Sequence, residues 1–241
     1  MRIWRHHLEG DEFGHMAWSL DHLGFATWAP TRDEVLARVP MKFVEYQQWL
    51  GRHGLPPSKE ERANSLEIVE EIFGDEVAFQ EDMLPAAAAE ITYCKRLLEL
   101  TRSDLLSVVA ELDDKVMDWD PPYKNFASFA SWRTIRQILA HIACTEIGYY
   151  LPKIGWQPNL KPKDLRESSW HEQLQLSRKE THRFLDELLA AEDKTRINKS
   201  AIPVEAWSVR KVLRRLVWHE LLHWKNIRRI VRDYYGQVGS Q

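Results

Sequence analysis

The sequence predicts an α+β unit of order β-β-β-α-β over residues 1–83, followed by an all-α four-helix bundle over residues 84–241. Three observations carry this expectation. Before residue 84 the apolar residues fall in short runs broken by Gly and Asp, the spacing of strands and turns. After Pro85 they repeat at helical spacing in four long segments separated by prolines or polar loops. The last segment contains WHELLHW at 218–224, an H-E-x-x-H pattern with both histidines on an apolar stripe.

The strands come first. RIWRHHLE, then HMAWSLD after Gly14, then LGFATWA after Asp21, read as a small antiparallel meander. Thr31 and Glu34 in TRDE form a T-x-x-E capping box that opens a helix through VLARVPMKFVEYQQWL. That helix should end near Gly51 and Gly54 and be dented at Pro40. After a loop, LPPSKEE, the run SLEIVEEIFG is a fourth strand. The first bundle helix, AAAAEITYCKRLLELTRSDLLSVVAEL, is rich in helix formers and stops before Pro121. SWRTIRQILAHIACTEIGYYL follows and ends before Pro152. The loop PKIGWQPNLKPK leads to SSWHEQLQLSRKETHRFLDELLAA, and the fourth helix runs from about Glu205 to Tyr235. Four such helices with one long connection make a bundle, and no strand is expected beyond residue 84.

Composition narrows the function classes. The chain has 241 residues, 44% of them hydrophobic, enough for a sizeable core. A net charge of -3 argues against a dedicated nucleic-acid binder. Two cysteines, Cys94 and Cys144, are too few for a disulfide framework and fit a cytoplasmic setting. The stretch MRIWRHHLEGDEF lacks the apolar core of a secretion signal, and no run reaches the length of a membrane span.

The chemistry concentrates on the last helix. With His219 at zero on a wheel of about 100° per residue, His223 falls at about 40° among Val212, Leu216 and Ile230. Glu220 lies near 100°, at the stripe edge, while Lys211, Arg214, Lys225, Arg228, Arg229 and Arg232 occupy the opposite arc and read as a solvated face. Two buried imidazoles one turn apart must find partners, because an unpaired polar group in a core is costly. They either pair with carbonyls and carboxylates or converge on a metal ion. A protease would need a third ligand downstream, where Asp233 stands nearly three turns away on the same helix. His141, on the inward face of the second bundle helix, can complete a three-histidine set with open coordination positions.

TIRQILAH, which supplies His141, and WSVRKVLRRLVWHELLHWKNI, which supplies His219 and His223, resemble the DinB/YfiT-like superfamily of metal-binding four-helix bundles. The likeness covers roughly residues 84–235, and LLELTRSDLLSVVAEL resembles the family's first helix. It implies an up-down-down-up bundle, often a homodimer, that binds nickel or zinc through His141, His219 and His223. It also implies chemistry with low-molecular-weight thiols. HMAWSLDHLGFATWAPTRDEVLARV is similar to the outline of HicB-like antitoxin domains, with FATWAP in place of the usual small residues.

The expected function is a metal-dependent enzyme that acts with a small thiol or water on a small electrophile. Two alternatives stand beside it: a non-catalytic, metal-stabilised regulatory protein that uses the HicB-like part for partner contacts, and a zinc hydrolase with Glu220 as general base. Glu220 reads equally well as an Arg-paired carboxylate. Asn226 reads as structural. Cys144 reads as a small buried thiol before it reads as a soft fourth ligand. His171 and His182 fall among polar residues, and His6, His7, His15, His22 and His53 show no ligand spacing. Trp132, Trp207, Trp218 and Trp224 read as core wedges or pocket walls.

Overall fold

The computed structural model describes residues 3–55, 65–74, 76–123, 130–194, 198–199 and 205–238. It divides into two compact units, residues 1–86 with 195–214 and residues 87–194 with 215–241.

In the first unit, strands β1 (Ile3–Asp11), β2 (Gly14–Trp18) and β3 (Ala26–Ala29) form the meander, followed by helix α1 (Arg32–Arg52) and strand β4 (Ser65–Phe73). The order in the sheet is β3-β2-β1-β4, with β4 parallel to β1 and a register shift between His6 and His7. The expected element order is therefore present, and the parallel pairing follows from α1 acting as the crossover between β3 and β4. The β1–β2 turn is held by Asp11, whose Oδ1 accepts from the backbone N–H groups of Phe13 and Gly14. Gly14 has φ 151°, and a Cβ there would meet the Ala29 carbonyl at 2.6 Å, so the close approach of β3 requires glycine. Thr31 caps α1 by accepting from the Glu34 N–H. Pro40 lies within a continuous helix on its exposed side, where solvent can serve the carbonyl that its missing N–H leaves free. The loop expected at 56–61 lies outside the described residues.

Two short strands, β5 (Asn198–Lys199) and β6 (Ala206–Trp207), pair antiparallel in the same unit. They correct the expectation of no strand beyond residue 84, because a two-residue ladder has no period to read. They also delay the last helix, α8, which spans Val209–Val238 behind Ser208, whose Oγ accepts from the Lys211 N–H. The first turns of α8 correct a second expectation. Lys211 and Arg214 are buried rather than solvated. Lys211 Nζ donates to the carbonyls of Glu76 and Ala206 and sits 3.9 Å from the Trp207 ring centre. Arg214 forks onto Asp82 at 2.7–3.2 Å and lies 4.2 Å from the Trp18 ring centre. Lys225, Arg228, Arg229 and Arg232, further along, are exposed as expected.

The second unit is the four-helix bundle. Its long helices are α2 (Ala88–Val109), α4 (Ile135–Thr145), α7 (Trp170–Ala190) and the greater part of α8, with single turns α3 (Asp114–Met117), α5 (Leu151–Lys153) and α6 (Pro162–Leu165) between them. A π-helical turn, Glu146–Tyr150, joins α4 to α5. Side-chain pairings give the helix directions. Arg102 reaches the Leu174 carbonyl while Arg178 reaches that of Leu98, so α2 and α7 run antiparallel. Thr181 meets Glu146 while Glu187 meets Trp156, so α4 and α7 run parallel. His223 lies beside His141 while His219 lies beside Tyr150, so α8 opposes α4. The topology is up-down-down-up. Leu97, Leu98, Leu105, Ile138, Leu139, Ile142, Phe184, Leu185 and Leu188 are buried at its centre. Each such side chain contributes roughly 1.5–3 kcal/mol through removal of apolar area from water.

Candidate metal centre

Two helices build the site. α4 begins at a reciprocal capping box: Thr134 Oγ1 accepts from the Gln137 N–H, and Gln137 Oε1 accepts from the Thr134 N–H. Arg136 ties the same turn to Asp114 of α3 and to Asp118, which caps α3 at its C-terminal end. His141 therefore projects from a helix whose start is fixed two turns earlier. On α8, His219 and His223 lie one turn apart on a stripe with buried Val212, Leu216, Ile227 and Ile230.

The three imidazoles converge. His219 Nε2 lies 3.0 Å from His141 Nε2 and 3.1 Å from His223 Nε2. Among the described residues this is the cluster of His, Cys, Asp or Glu whose ligand atoms, all within 4.8 Å of one another, can hold an ion. The donor set fits a divalent transition metal. Metal–imidazole bonds of about 2.0–2.1 Å place neighbouring nitrogens roughly 3.0–3.4 Å apart. Hydrogen bonding alone serves the arrangement badly, because a neutral Nε2 offers either one N–H or one lone pair. His219 Nε2 faces two other ring nitrogens and can pair well with just one. A cation accepts all three lone pairs.

Electrostatics keeps those lone pairs available. Burial lowers the pKa of His141 to about 4. Burial, with the neighbouring His141, lowers that of His223 to about 3. His219 is pushed well below the ordinary imidazole value by burial and then by the other two rings. Trp132 stacks on His141 at 3.5 Å between ring centres and 11° between planes, and Thr145 Oγ1 contacts His141 Nδ1 at 3.3 Å. Together they fix the ring so that Nε2 faces α8. His141 is the least buried of the three histidines, so the cluster approaches solvent on its side.

Glu220 is buried beside this centre, within an ionic quartet. Its Oε1 accepts from Arg102 Nε, and its Oε2 accepts from Thr101 Oγ1 and Arg178 Nη2. Glu146 Oε1 accepts from Arg102 Nη2 at 2.9 Å and Arg178 Nη2 at 2.8 Å. Burial raises the Glu220 pKa, but the charges of Arg102 and Arg178 outweigh it and bring the pKa down to about 2. The arrangement is that of an Arg-paired anchor rather than a proton acceptor.

Sequence reasoning passed over Arg102, Glu146 and Arg178. The signal was present: Arg102 shares a stripe with Leu98, Leu105 and Val109, and Arg178 shares one with Leu174, Thr181 and Leu185, all buried. A cation at such a position demands a buried acid. Of the remaining candidates, Trp218 borders the imidazole cluster, its ring centre 6.4 Å from that of His219, and no other His or Cys joins the cluster among the described residues. Cys144 is half-buried, with burial pushing its thiol pKa up. Asn226 is half-buried and His171 is exposed. His182 is half-buried with a lowered pKa, burial being the main cause. Trp207 lies in the first unit beneath Lys211, Trp224 is buried under Arg228, and Trp218 is half-buried near Arg215. The His6 side chain lies outside the described residues.

The family model of the DinB superfamily matches residues 97–227, more than half of the chain. No curated protein matches. Among solved structures, YfiT from Bacillus subtilis is similar at 18% identity, over 69% of this chain and 95% of its own, with a TM-score of 0.45. It is described as a probable metal-dependent hydrolase with an unusual four-helix bundle topology.

Proposed function

The chain belongs to the DinB superfamily, and from that premise we propose that it is a metal-dependent enzyme in which His141, His219 and His223 hold a divalent transition metal, nickel or zinc. The reaction is the attack of a small thiol or water on a small electrophilic substrate. The observation that carries this reading is the convergence of the three Nε2 atoms at 3.0 and 3.1 Å. Three protein ligands leave coordination positions open, as catalytic rather than structural sites do. A bound ion supplies Lewis acidity and lowers the pKa of a thiol or water ligand.

The chain's own groups do the rest. Burial holds the imidazoles neutral, and Trp132 holds the His141 ring flat against one wall. Glu220 acts in this reading as an anchor for α8, which favours a thiol that arrives as its own nucleophile over water that needs a base. The N-terminal unit serves as an accessory α+β module of HicB-like outline.

Elemental analysis of protein purified without a histidine tag tests the proposal. Close to one equivalent of nickel or zinc is expected, lost in His141→Ala and His219→Ala. Turnover in a screen of small thiols with electrophiles should stop on chelation and return with metal. A folded wild-type chain that takes up no stoichiometric metal after reconstitution refutes the reading. Stoichiometric metal without turnover would favour the regulatory alternative, in which the ion stabilises the bundle.

A further inference from the structure

The quartet draws one charged residue from each long helix of the bundle: Arg102 from α2, Glu146 from the π turn that continues α4, Arg178 from α7 and Glu220 from α8. Its members are buried, it carries no net charge, and every carboxylate oxygen accepts at least one hydrogen bond. One further guanidinium nitrogen of each arginine closes on the main chain, Arg102 Nη1 on the Leu174 carbonyl and Arg178 Nη1 on the Leu98 carbonyl, while Arg178 Nε is buried without an acceptor among the described residues. Those carbonyls belong to helix backbones, so the quartet indexes α2 and α7 against each other by residue.

Its position relative to the ligands matters more. Glu220 is the immediate neighbour of His219 and precedes His223 by three residues, and Glu146 stands five residues beyond His141. Each helix that supplies a ligand is thus pinned within two turns of that ligand. Apolar packing alone tolerates small slides of one helix along another, whereas a forked guanidinium–carboxylate bond has a defined direction and length. The π turn contributes to this placement: it inserts an extra residue per turn between His141 and Tyr150. Gly148 allows that turn to approach Pro162, whose Cγ would lie 2.4 Å from a Cβ at this position.

We infer that Arg102, Glu146, Arg178 and Glu220 are the positioning device of the metal centre, setting the axial register of α4 against α8 that brings His141 onto His219 and His223. The inference rests on the metal-centre reading above. Buried ion pairs of this kind add little stability over an apolar replacement, and register is the use for which they are best attested. The quartet should therefore be dispensable for folding and needed for the geometry of the site.

The test is a charge-balanced double variant, Arg102→Met/Glu220→Leu, which leaves the Arg178–Glu146 pair neutral and releases α8. Cobalt(II) is the probe, read by competition titration and by its visible d–d absorption. Helical circular dichroism is expected to match wild type. Cobalt affinity should fall at least about tenfold, the usual scale for losing an outer-shell support, and the d–d bands should change in energy or intensity. A folded variant with wild-type affinity and spectrum overturns the inference, since packing alone would then position the histidines. If the double variant does not fold, Glu220→Gln, which keeps the side-chain shape and one acceptor oxygen, is read against the same two outcomes. Failure of folded wild-type chain to bind cobalt removes the metal-centre reading and this inference together. That outcome is recognised before any variant is made.

Discussion

Acidifying the metal-free protein should cost it about 4 kcal/mol of stability by pH ~5 through its buried imidazoles. The folded chain holds His141 and His223 neutral, with pKa values lowered to about 4 and about 3, whereas an unfolded chain protonates them near 6.5. Protons therefore bind the unfolded state preferentially. The stabilisation is complete above pH ~6.5 and drains as the pH falls towards the folded values. At pH ~5 each ring has lost roughly 2 kcal/mol, so the two together cost about 4 kcal/mol. His219 adds to the loss with the same sign. Against a typical stability of about 5–15 kcal/mol this is a large fraction. Urea denaturation of the apo protein at pH ~7.5 and ~5 measures it. The control is His141→Phe, which keeps an aromatic ring against Trp132 and removes one titrating site. The variant should lose about 2 kcal/mol less than wild type over that interval. Equal losses in the two proteins, or a wild-type loss under about 1 kcal/mol, would refute the assignment of buried neutral imidazoles.

Other consequences follow from the same charges. Metal uptake near pH 7 should release almost no protons from the protein, because the imidazoles are already neutral; calorimetric titration in buffers of different ionisation enthalpy reads the proton count directly. Arg178→Met should destabilise the bundle by about 3–5 kcal/mol, since Glu146 and Glu220 would share one remaining guanidinium, and chemical denaturation would show the shift. Asp82→Ala should cost a similar 3–5 kcal/mol by stranding buried Arg214, while the pair Asp82→Ala/Arg214→Met should recover part of it. Thr134→Ala should lower stability by about 0.5–2 kcal/mol through loss of the α4 cap, with a smaller effect on metal affinity than any ligand substitution.

What the sequence disclosed depended on whether a signal was periodic and local. The i, i+4 pair on α8 and the inward position of His141 follow from a rotation of about 100° per residue, and the structure brings all three rings together. The β-β-β-α-β order followed from short runs and turn residues, but the parallel seat of β4 beside β1 is a long-range choice that no local pattern encodes. Charge was the systematic blind spot. Lys211 and Arg214 were placed on a solvated arc because a helical wheel treats every cation as wanting water. Asp82 and Glu76, more than a hundred residues earlier, give them buried partners instead. Arg102 and Arg178 sat on apolar stripes for the same reason, without their acids in view. A cation on such a stripe signals that a carboxylate must arrive from elsewhere in the fold.

The same charges bear on which ligand the centre favours. Three neutral imidazoles do nothing to offset a divalent charge, and among the described residues no carboxylate joins their cluster. Glu220 and Glu146 are the buried acids beside it, and each is already neutralised by Arg102 and Arg178. A cation held by the histidines would therefore keep its full charge in a low-dielectric interior, where an anionic ligand gains far more than it would in water. Under the proposed metal-centre reading, that preference favours a thiolate or another small anion over a neutral ligand. It also separates this H-E-x-x-H segment from the metalloprotease use of the same letters. There the glutamate stays free to take a proton from water; here it is bound to two guanidinium groups and holds the helix in place.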